Sequence, residues 1–592
     1  MTLDIRERSR SHLVAIALLV LAPILVGLLH DDWLFSPIGL PDPYFNVGFF
    51  MHYFDPEFLP GMYKEARVPW LAPGYFAYHT VGPMAANFVL HIGCLVAAVV
   101  LVYLTLSRLV SRNAAFIASA LLCSYYQFQG SSAVGGWDYQ TTPSGALYAL
   151  TLYLLVRAAQ TEYAAFWLAG AGIAFGATFH SNIVTVNLTP GIIAIYLVAT
   201  RFRPSIVQIG GSVLWALLGF ILINLLFSVI AWDSGRDPMF FRSMLSLAGD
   251  YTSNPAVFQQ RWWKSWSTGW YMEPIYLAYL LPLAAVFIAS LAWLAERIVN
   301  AARQVEVEPD ERASPAGVVL VGQYVFAIVL WLIWQTQGQT ALQPDCFAYP
   351  LIIPAFMALA AMIGPVGKRE MIGLVAVLVF VVIADALLAK ANSAPDAKLA
   401  TRLVTVAFFA AIAASVAYRR FRGLALLGAS AVYLAAYPAM ALTHQAMQPL
   451  WSELPIAAKP CVDPKLYFSE TVRLNKLLRP APGEVLQTWV WDGPDGNFDS
   501  KCPVPIEYFR TTLLATGLTA LGSYHATADQ LDDAEIRLAQ RGDKLVAIVG
   551  DKSQLVPLVA RFKRSNFDLV ATMEQKVNLG HASAVLTVFE LQ

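Results

Sequence analysis

Apolar runs of about 20 residues, the length a helix needs to cross a bilayer's hydrocarbon, recur along most of this chain. They fall near 13–29, 84–106, 113–129, 142–160, 164–180, 182–200, 206–232, 274–297, 316–336, 348–365, 371–389, 400–418 and 423–443. Read as helices, these runs predict a polytopic α-helical membrane protein with about 13 transmembrane helices. Composition excludes the main competitor. The chain is 57% hydrophobic and 14% charged over 592 residues, with mean hydropathy +0.54. A soluble domain is roughly a quarter charged, and single soluble cores stop growing well below this length. The first run ends Leu28-Leu29-His30-Asp31, without a small-residue cleavage pattern, and so reads as a retained span rather than a secretory signal.

The cations set the orientation. Arg6, Arg8 and Arg10 precede the first span, and alternation puts Arg108, Arg112, Arg157, Arg201, Arg203, Arg297 to Arg312, Lys368, Arg369, Arg419, Arg420 and Arg422 on the same side. That basic side is expected to be cytoplasmic. The net charge of +0 hides this asymmetry, and the absence of a strong basic excess argues against nucleic-acid binding.

After residue 445 the spans stop. The predicted elements are a helix from Phe468 to Leu478, a strand from Glu484 to Trp491, a helix from Ala528 to Gln540 and a buried strand from Lys544 to Val549. A helix near Ser553 to Arg564 and strands near Phe567 to Glu574 and Ser583 to Leu591 follow. Such alternation predicts a small, mostly parallel α/β domain. The expected organisation is a membrane module over 1–444 and a soluble domain over 445–592. An odd number of spans places that domain outside the cytoplasm, at the periplasmic side of an inner membrane. Cys461 and Cys502 would there be free to form a disulfide or to remain thiols. Cys94 and Cys123 fall in spans and read as core residues.

The polar residues of interest crowd onto the outer side. The segment 30–83 is long for a connector between two spans, acidic and aromatic, which marks it as a site-lining loop. Within Leu40-Pro41-Asp42-Pro43-Tyr44 the prolines predict an extended, rigid backbone presenting Asp42; the plainer alternative is a turn or helix-capping Asp. Asp138, in Gly136-Trp137-Asp138-Tyr139, is a second outer acid or an ordinary turn residue. Lys64 and Arg67 precede Trp70, and the outer loop 233–273 carries Arg261 and Lys264 among tryptophans. Cations in that setting suit a lipid phosphate, although aromatic belts with snorkelling cations occur at interfaces generally. His180 lies near an outer helix end, as a functional group or as a satisfied interhelical hydrogen bond. Gln337 and Tyr349 belong to another polar patch whose amides and hydroxyls suit sugar hydroxyls.

The stretch Asp42-Pro43-Tyr44, Gly48-Phe49-Phe50, Tyr63, Arg67-Val68-Pro69-Trp70 and Pro73-Gly74-Tyr75, with Asp138-Tyr139 further on, resembles the GT-C superfamily of membrane glycosyltransferases. The likeness is to the protein O-mannosyltransferase and aminoarabinose-transferase group, glycosyltransferase family 39, and covers about the first 360 residues. The acidic pair some members carry in this loop is either displaced to Asp31-Asp32 or reduced to Asp42. The resemblance implies a GT-C fold and inverting transfer of a sugar from a polyprenyl-phosphate donor to a hydroxyl of a lipid, polysaccharide or protein acceptor. It implies Asp42 as base, Asp138 as second acid or ligand of a Mg²⁺ or Mn²⁺ ion, and Lys64, Arg67, Arg261 and Lys264 for the donor phosphate. Tyr44, Trp70, His180, Gln337 and Tyr349 would contact the substrate.

A phosphate leaving group lessens the need for the protonating acid that a glycosidase uses. No glycine-rich nucleotide loop and no His/Cys metal motif competes with this reading. Two other classes stay open: a transporter or flippase, which would place ionisable groups at mid-membrane in broken helices, and a non-catalytic scaffold, which would need no carboxylate.

Overall fold

The computed structural model describes residues 2–29, 35, 41–56, 58–131, 141–201, 204–243, 245–246, 274–303, 315–336, 351–364, 463–478, 488–491, 497–499, 502–505, 512–513, 515–517, 524–525, 541–542, 544–580 and 583–592. They fall into two compact units. The first comprises 1–31, 61–70 and 88–445, and the second 32–60, 71–87 and 446–592.

Helices occupy ten of the predicted spans. They are α1 (Thr2–Leu29), α4 (Pro83–Leu109), α5 (Arg112–Ser131), α6 (Thr141–Ala158), α7 (Ala164–Ser181), α8 (Thr189–Ala199), α9 (Ile206–Asp233), α10 (Pro274–Ala302), α11 (Pro315–Thr336) and α12 (Ile352–Ile363). Among the described residues, four helices are long and apolar enough to cross a membrane: Pro83–Leu109, Ile206–Asp233, Leu283–Ala302 and Pro315–Ile333. The chain is a multi-pass helical membrane protein. The expected spans 371–389, 400–418 and 423–443 lie outside the described residues.

The segment between the first two spans carries regular structure among its described residues. It holds α2 (Pro41–His52), a 3₁₀ turn at Tyr63–Ala66 and α3 (Val68–Thr80). The extended backbone expected around Pro41-Asp42-Pro43 is corrected: these residues open α2. Proline is compatible with a first helical turn because amides there have no intrahelical acceptor.

Within the first unit, α7 and α9 cross at closest approach through glycines. A Cβ on Gly172 would overlap the carbonyl oxygen of Ala216, and a Cβ on Gly219 would overlap that of Ala169. Small residues let helix backbones touch, a device suited to lipid, where apolar side chains gain little by leaving the surroundings. α9 begins with a capping box, in which Ser205 Oγ accepts from the Gln208 amide at 3.3 Å and Gln208 Oε1 accepts from the Ser205 amide at 2.8 Å. Its 28 residues extend about 42 Å at ~1.5 Å rise per residue. Leu214, Leu222, Leu225 and Val229 remain exposed along it, a surface fit for lipid chains.

In the second unit the C-terminal chain forms a five-stranded sheet, order β4-β1-β5-β7-β6. The strands are β1 (Thr488–Trp491), β4 (Tyr524–His525), β5 (Lys544–Val549), β6 (Leu569–Asn578) and β7 (Ser583–Leu591), while β2 (Asn497–Asp499) and β3 (Cys502–Pro505) pair separately. The expectation of a mostly parallel sheet is corrected. β1 pairs in parallel with β4 and β5, but β5–β7 and β7–β6 are antiparallel. The cause is the short 579–582 connection, which makes β6 and β7 a hairpin and leaves no room for a crossover. Helix α14 (Leu555–Arg564) buries Leu558 and Phe562 on Leu545, Ala547, Phe589 and Leu591. Cys461, the expected helix Ala528 to Gln540 and the side chain of Cys502 lie outside the described residues.

Candidate active site

The first unit gathers buried charge where a polar turn meets the end of α9. The turn Tyr63–Ala66 buries Lys64 and Glu65, and Arg67 follows it, also buried. Burial of three ionisable residues within four positions is costly unless partners compensate. Lys64 Nζ lies 5.8 Å and Arg67 Cζ 5.3 Å from the centroid of the Tyr63 ring, within cation–π range. Glu65 Oε2 accepts from the Gly61 amide at 3.3 Å and from Arg236 Nη1 at 3.1 Å.

Local sequence explains how Arg236 arrives there. α9 ends at Asp233, Ser234 caps it, and Gly235 takes φ +72°. The Gly235 amide donates to Trp232 O at 3.0 Å and the Arg236 amide to Ala231 O at 2.9 Å. This is a Schellman stop, in which a left-handed residue reverses the chain and satisfies the last carbonyls. It delivers Arg236 as the first side chain beyond the reversal. Burial pushes the Glu65 carboxyl above its ordinary range, while Arg236 pulls in the opposite direction.

Four residues further on, Phe240 packs on His180, with ring centroids 4.7 Å apart. His180 Nε2 lies 2.6 Å from Asn224 Oδ1, and Asn224 Nδ2 donates to Phe220 O at 2.7 Å. With the amide oriented in that way, Nε2 carries the imidazole proton. Phe227 meets the same ring at 90° and 5.9 Å. His180 therefore ties α7 to α9 inside an aromatic nest. Trp70 is buried edge-on against His91, 5.8 Å between centroids.

The first unit thus brings together Lys64, Arg67 and Trp70 within 61–70, and the 234–243 loop connects Arg236 at Glu65 with Phe240 at His180. Tyr44 belongs to the second unit, fully buried and edge-on to Tyr467 at 5.8 Å. For Asp42 the backbone is described, second in α2. Asp138, Arg261, Lys264, Gln337 and Tyr349 lie outside the described residues. Among the described residues no three His, Cys, Asp or Glu side chains form a metal-holding group.

The Glu65–Arg236 pair is absent from the sequence-derived site. Two signals could have pointed to it: a carboxylate set between two cations, and Ser234-Gly235 as a helix stop followed by an arginine.

Part of the chain that carries this cluster is similar to known proteins. Residues 68–232 match the family model for dolichyl-phosphate-mannose-protein mannosyltransferase. Over this segment the chain is similar to the mannosyltransferases. The match supports the resemblance to GT-C membrane glycosyltransferases drawn from the first outer segment. No curated protein matches the chain. Among solved structures, the crystal structure of ArnT from Cupriavidus metallidurans bound to undecaprenyl phosphate has 12% identity, covers 97% of each chain and gives a TM-score of 0.48. Its apo counterpart has 12% identity, covers 96% of this chain and 97% of that one, and gives 0.46.

The matched segment starts just after the buried turn and stops just before Arg236. The Glu65–Arg236 pair therefore closes its two ends together.

Proposed function

We propose that this chain transfers a sugar from a polyprenyl-phosphate donor to a hydroxyl acceptor at the outer face of a cytoplasmic membrane. The observation that carries the proposal is the mannosyltransferase match over 68–232, framed by the buried cations Lys64 and Arg67 at one end and Arg236 at the other. The family's description names a sugar joined to a lipid phosphate, and buried guanidinium and ammonium groups are the side chains that such a phosphate calls for.

In the proposed reaction an acceptor oxygen attacks the anomeric carbon as the bond from that carbon to the phosphate oxygen breaks. The electron pair leaves with the polyprenyl phosphate, and the acceptor's proton passes to Asp42. One displacement inverts the anomeric carbon. Lys64 and Arg67, with Arg261 and Lys264, would stabilise the charge that grows on the leaving phosphate. Asp138 would orient the acceptor or hold a divalent ion. Trp70, His180, Gln337, Tyr349 and Tyr44 are the proposed sugar contacts, and the C-terminal domain is proposed to be periplasmic.

Detergent-purified protein incubated with radiolabelled polyprenyl-phosphate sugars tests this reading, read as release of unlabelled polyprenyl phosphate and label in an acceptor. Arg67→Ala should raise the donor concentration needed and lower the rate as well, since a charge-assisted contact is lost. Uptake of the donor into vesicles without a covalent product would overturn the proposal.

A further inference from the structure

The C-terminal chain has no assigned role in this chemistry, yet one face of α2 is buried in the same unit. Tyr44, Gly48 and His52 are spaced i, i+4, i+8 and share a helical face. Each meets α13 (Pro464–Leu478) or the short segment 512–517. Tyr44 lies edge-on to Tyr467 at 67° and 5.8 Å. A Cβ on Gly48 would overlap the carbonyl oxygen of Ala515 as well as the ring of Phe58. A Cβ on Gly517, whose φ is +149°, would lie 2.7 Å from His52 Nε2 and 3.2 Å from Asn475 Oδ1.

The receiving surface is braced by its own buried hydrogen bonds. Tyr467 and Thr512 share one between hydroxyls at 2.7 Å, and Asn475 Nδ2 donates to Thr516 Oγ1. Thr516 Oγ1 in turn donates to Thr512 O at 2.8 Å, and Thr471 Oγ1 to Tyr467 O at 2.8 Å. Upstream, Phe35 packs on Phe468 at 5.2 Å. A helix locked by backbone-close contacts on one face, against a satisfied polar network, has little freedom to slide or rotate.

We infer that the C-terminal domain is a positioning device for α2: it clamps the Tyr44–Gly48–His52 face and so fixes the helix whose first turn carries Asp42. Gly48 and Gly517 are the positioning residues, since both permit approaches that any side chain would prevent. This rests on the transferase reading for Asp42, but the clamp itself does not. A domain attached 400 residues downstream would then act on catalysis by holding a helix still, with no contact to substrate required. Misplacement of a catalytic group by about 1 Å costs on the order of 100-fold in rate, so a loosened clamp should appear in turnover before binding.

The test compares full-length wild type, Gly517→Ala, Gly517→Val and Gly517→Ala with His52→Ala, all in detergent. Hydrogen–deuterium exchange over 41–52 is read beside donor kinetics. The clamp predicts faster exchange across 41–52 in Gly517→Val, with protection of β5 and β7 retained as evidence that the domain is folded. It predicts kcat reduced at least tenfold with KM for the donor within about threefold, and partial recovery of kcat when His52→Ala makes room for the Gly517→Ala methyl. Should Gly517→Val lose β5 and β7 protection, the milder Gly517→Ala decides by the same measures. Unchanged exchange over 41–52 in a folded variant overturns the clamp. Faster exchange with kcat within twofold of wild type overturns the positioning role. A wild type that transfers no sugar overturns the transferase reading alone, and the exchange data still decide whether α2 is clamped.

Discussion

Arg236 Nη1 donates to Glu65 Oε2 at 3.1 Å across 171 residues of chain, with side chains only 3% and 7% exposed. A pair that deeply buried loses hydration on both sides, and its members depend on each other. Glu65→Ala or Arg236→Ala should each destabilise the protein by about 3–5 kcal/mol, the range for stranding one buried charge. The double variant Glu65→Met with Arg236→Met should be less destabilised than either single variant. Thermal unfolding in detergent measures all three, and a double variant at least as destabilised as either single one would contradict the mutual dependence of the pair.

The same carboxyl predicts a pH dependence. Glu65 in the folded protein titrates above its ordinary value near 4.5, because burial outweighs the attraction of Arg236. Between those two values the folded state binds a proton that the unfolded chain has released. Its contribution is therefore fully present below pH 4.5 and is lost as pH rises through the folded-state value. Glu65→Gln should remove up to about 1.4 kcal/mol per pH unit of slope in that window relative to wild type. Stability measured across pH 4–7 for both proteins checks the difference; identical slopes would contradict it.

Glycines along the helices should separate by environment. Gly172→Ala and Gly219→Ala place a methyl against backbone at the α7–α9 crossing and should lower the melting temperature sharply. Gly210→Ala and Gly211→Ala meet nothing within 4 Å and should be neutral or stabilising by up to about 1 kcal/mol, since alanine is the better helix former. Equal effects at the two pairs would mean that the crossing is looser than described.

Sidedness gives an independent check. Tags at Gln592 and in the 306–315 loop should report opposite faces of the membrane, the first outside and the second inside. Protection of both tags from an impermeant reagent in intact cells would remove the periplasmic assignment.

The helices were legible because span length is a property of contiguous sequence. The run at 206–232 became Ile206–Asp233, and the run at 164–180 became Ala164–Ser181. Elements that depend on distant partners were not. Proline's local bias favours an extended Pro41-Asp42-Pro43, and the helix that these residues open overrides it. The parallel sheet expected from alternating elements gave way at β6–β7, where a short connection forces a hairpin. Lys64 and Arg67 stood out in the sequence as cations near an aromatic. Glu65 did not, because its partner Arg236 comes from beyond α9 and no local spacing encodes that meeting. The burial of Tyr44 on Tyr467 was hidden for the same reason. The interhelical hydrogen bond expected as one reading of His180 is present, and only its partner, Asn224, could not be named from the sequence.

The most direct measurement is sugar transfer by purified wild type and by Asp42→Asn from a radiolabelled polyprenyl-phosphate donor, with Asp31→Asn and Asp32→Asn alongside. Loss of a general base should lower turnover of Asp42→Asn by a factor on the order of 10²–10⁴ while leaving donor affinity nearly unchanged. Near-full transfer by Asp42→Asn, with transfer abolished in Asp31→Asn or Asp32→Asn, would contradict Asp42 as the base and move it to the acidic pair at 31–32.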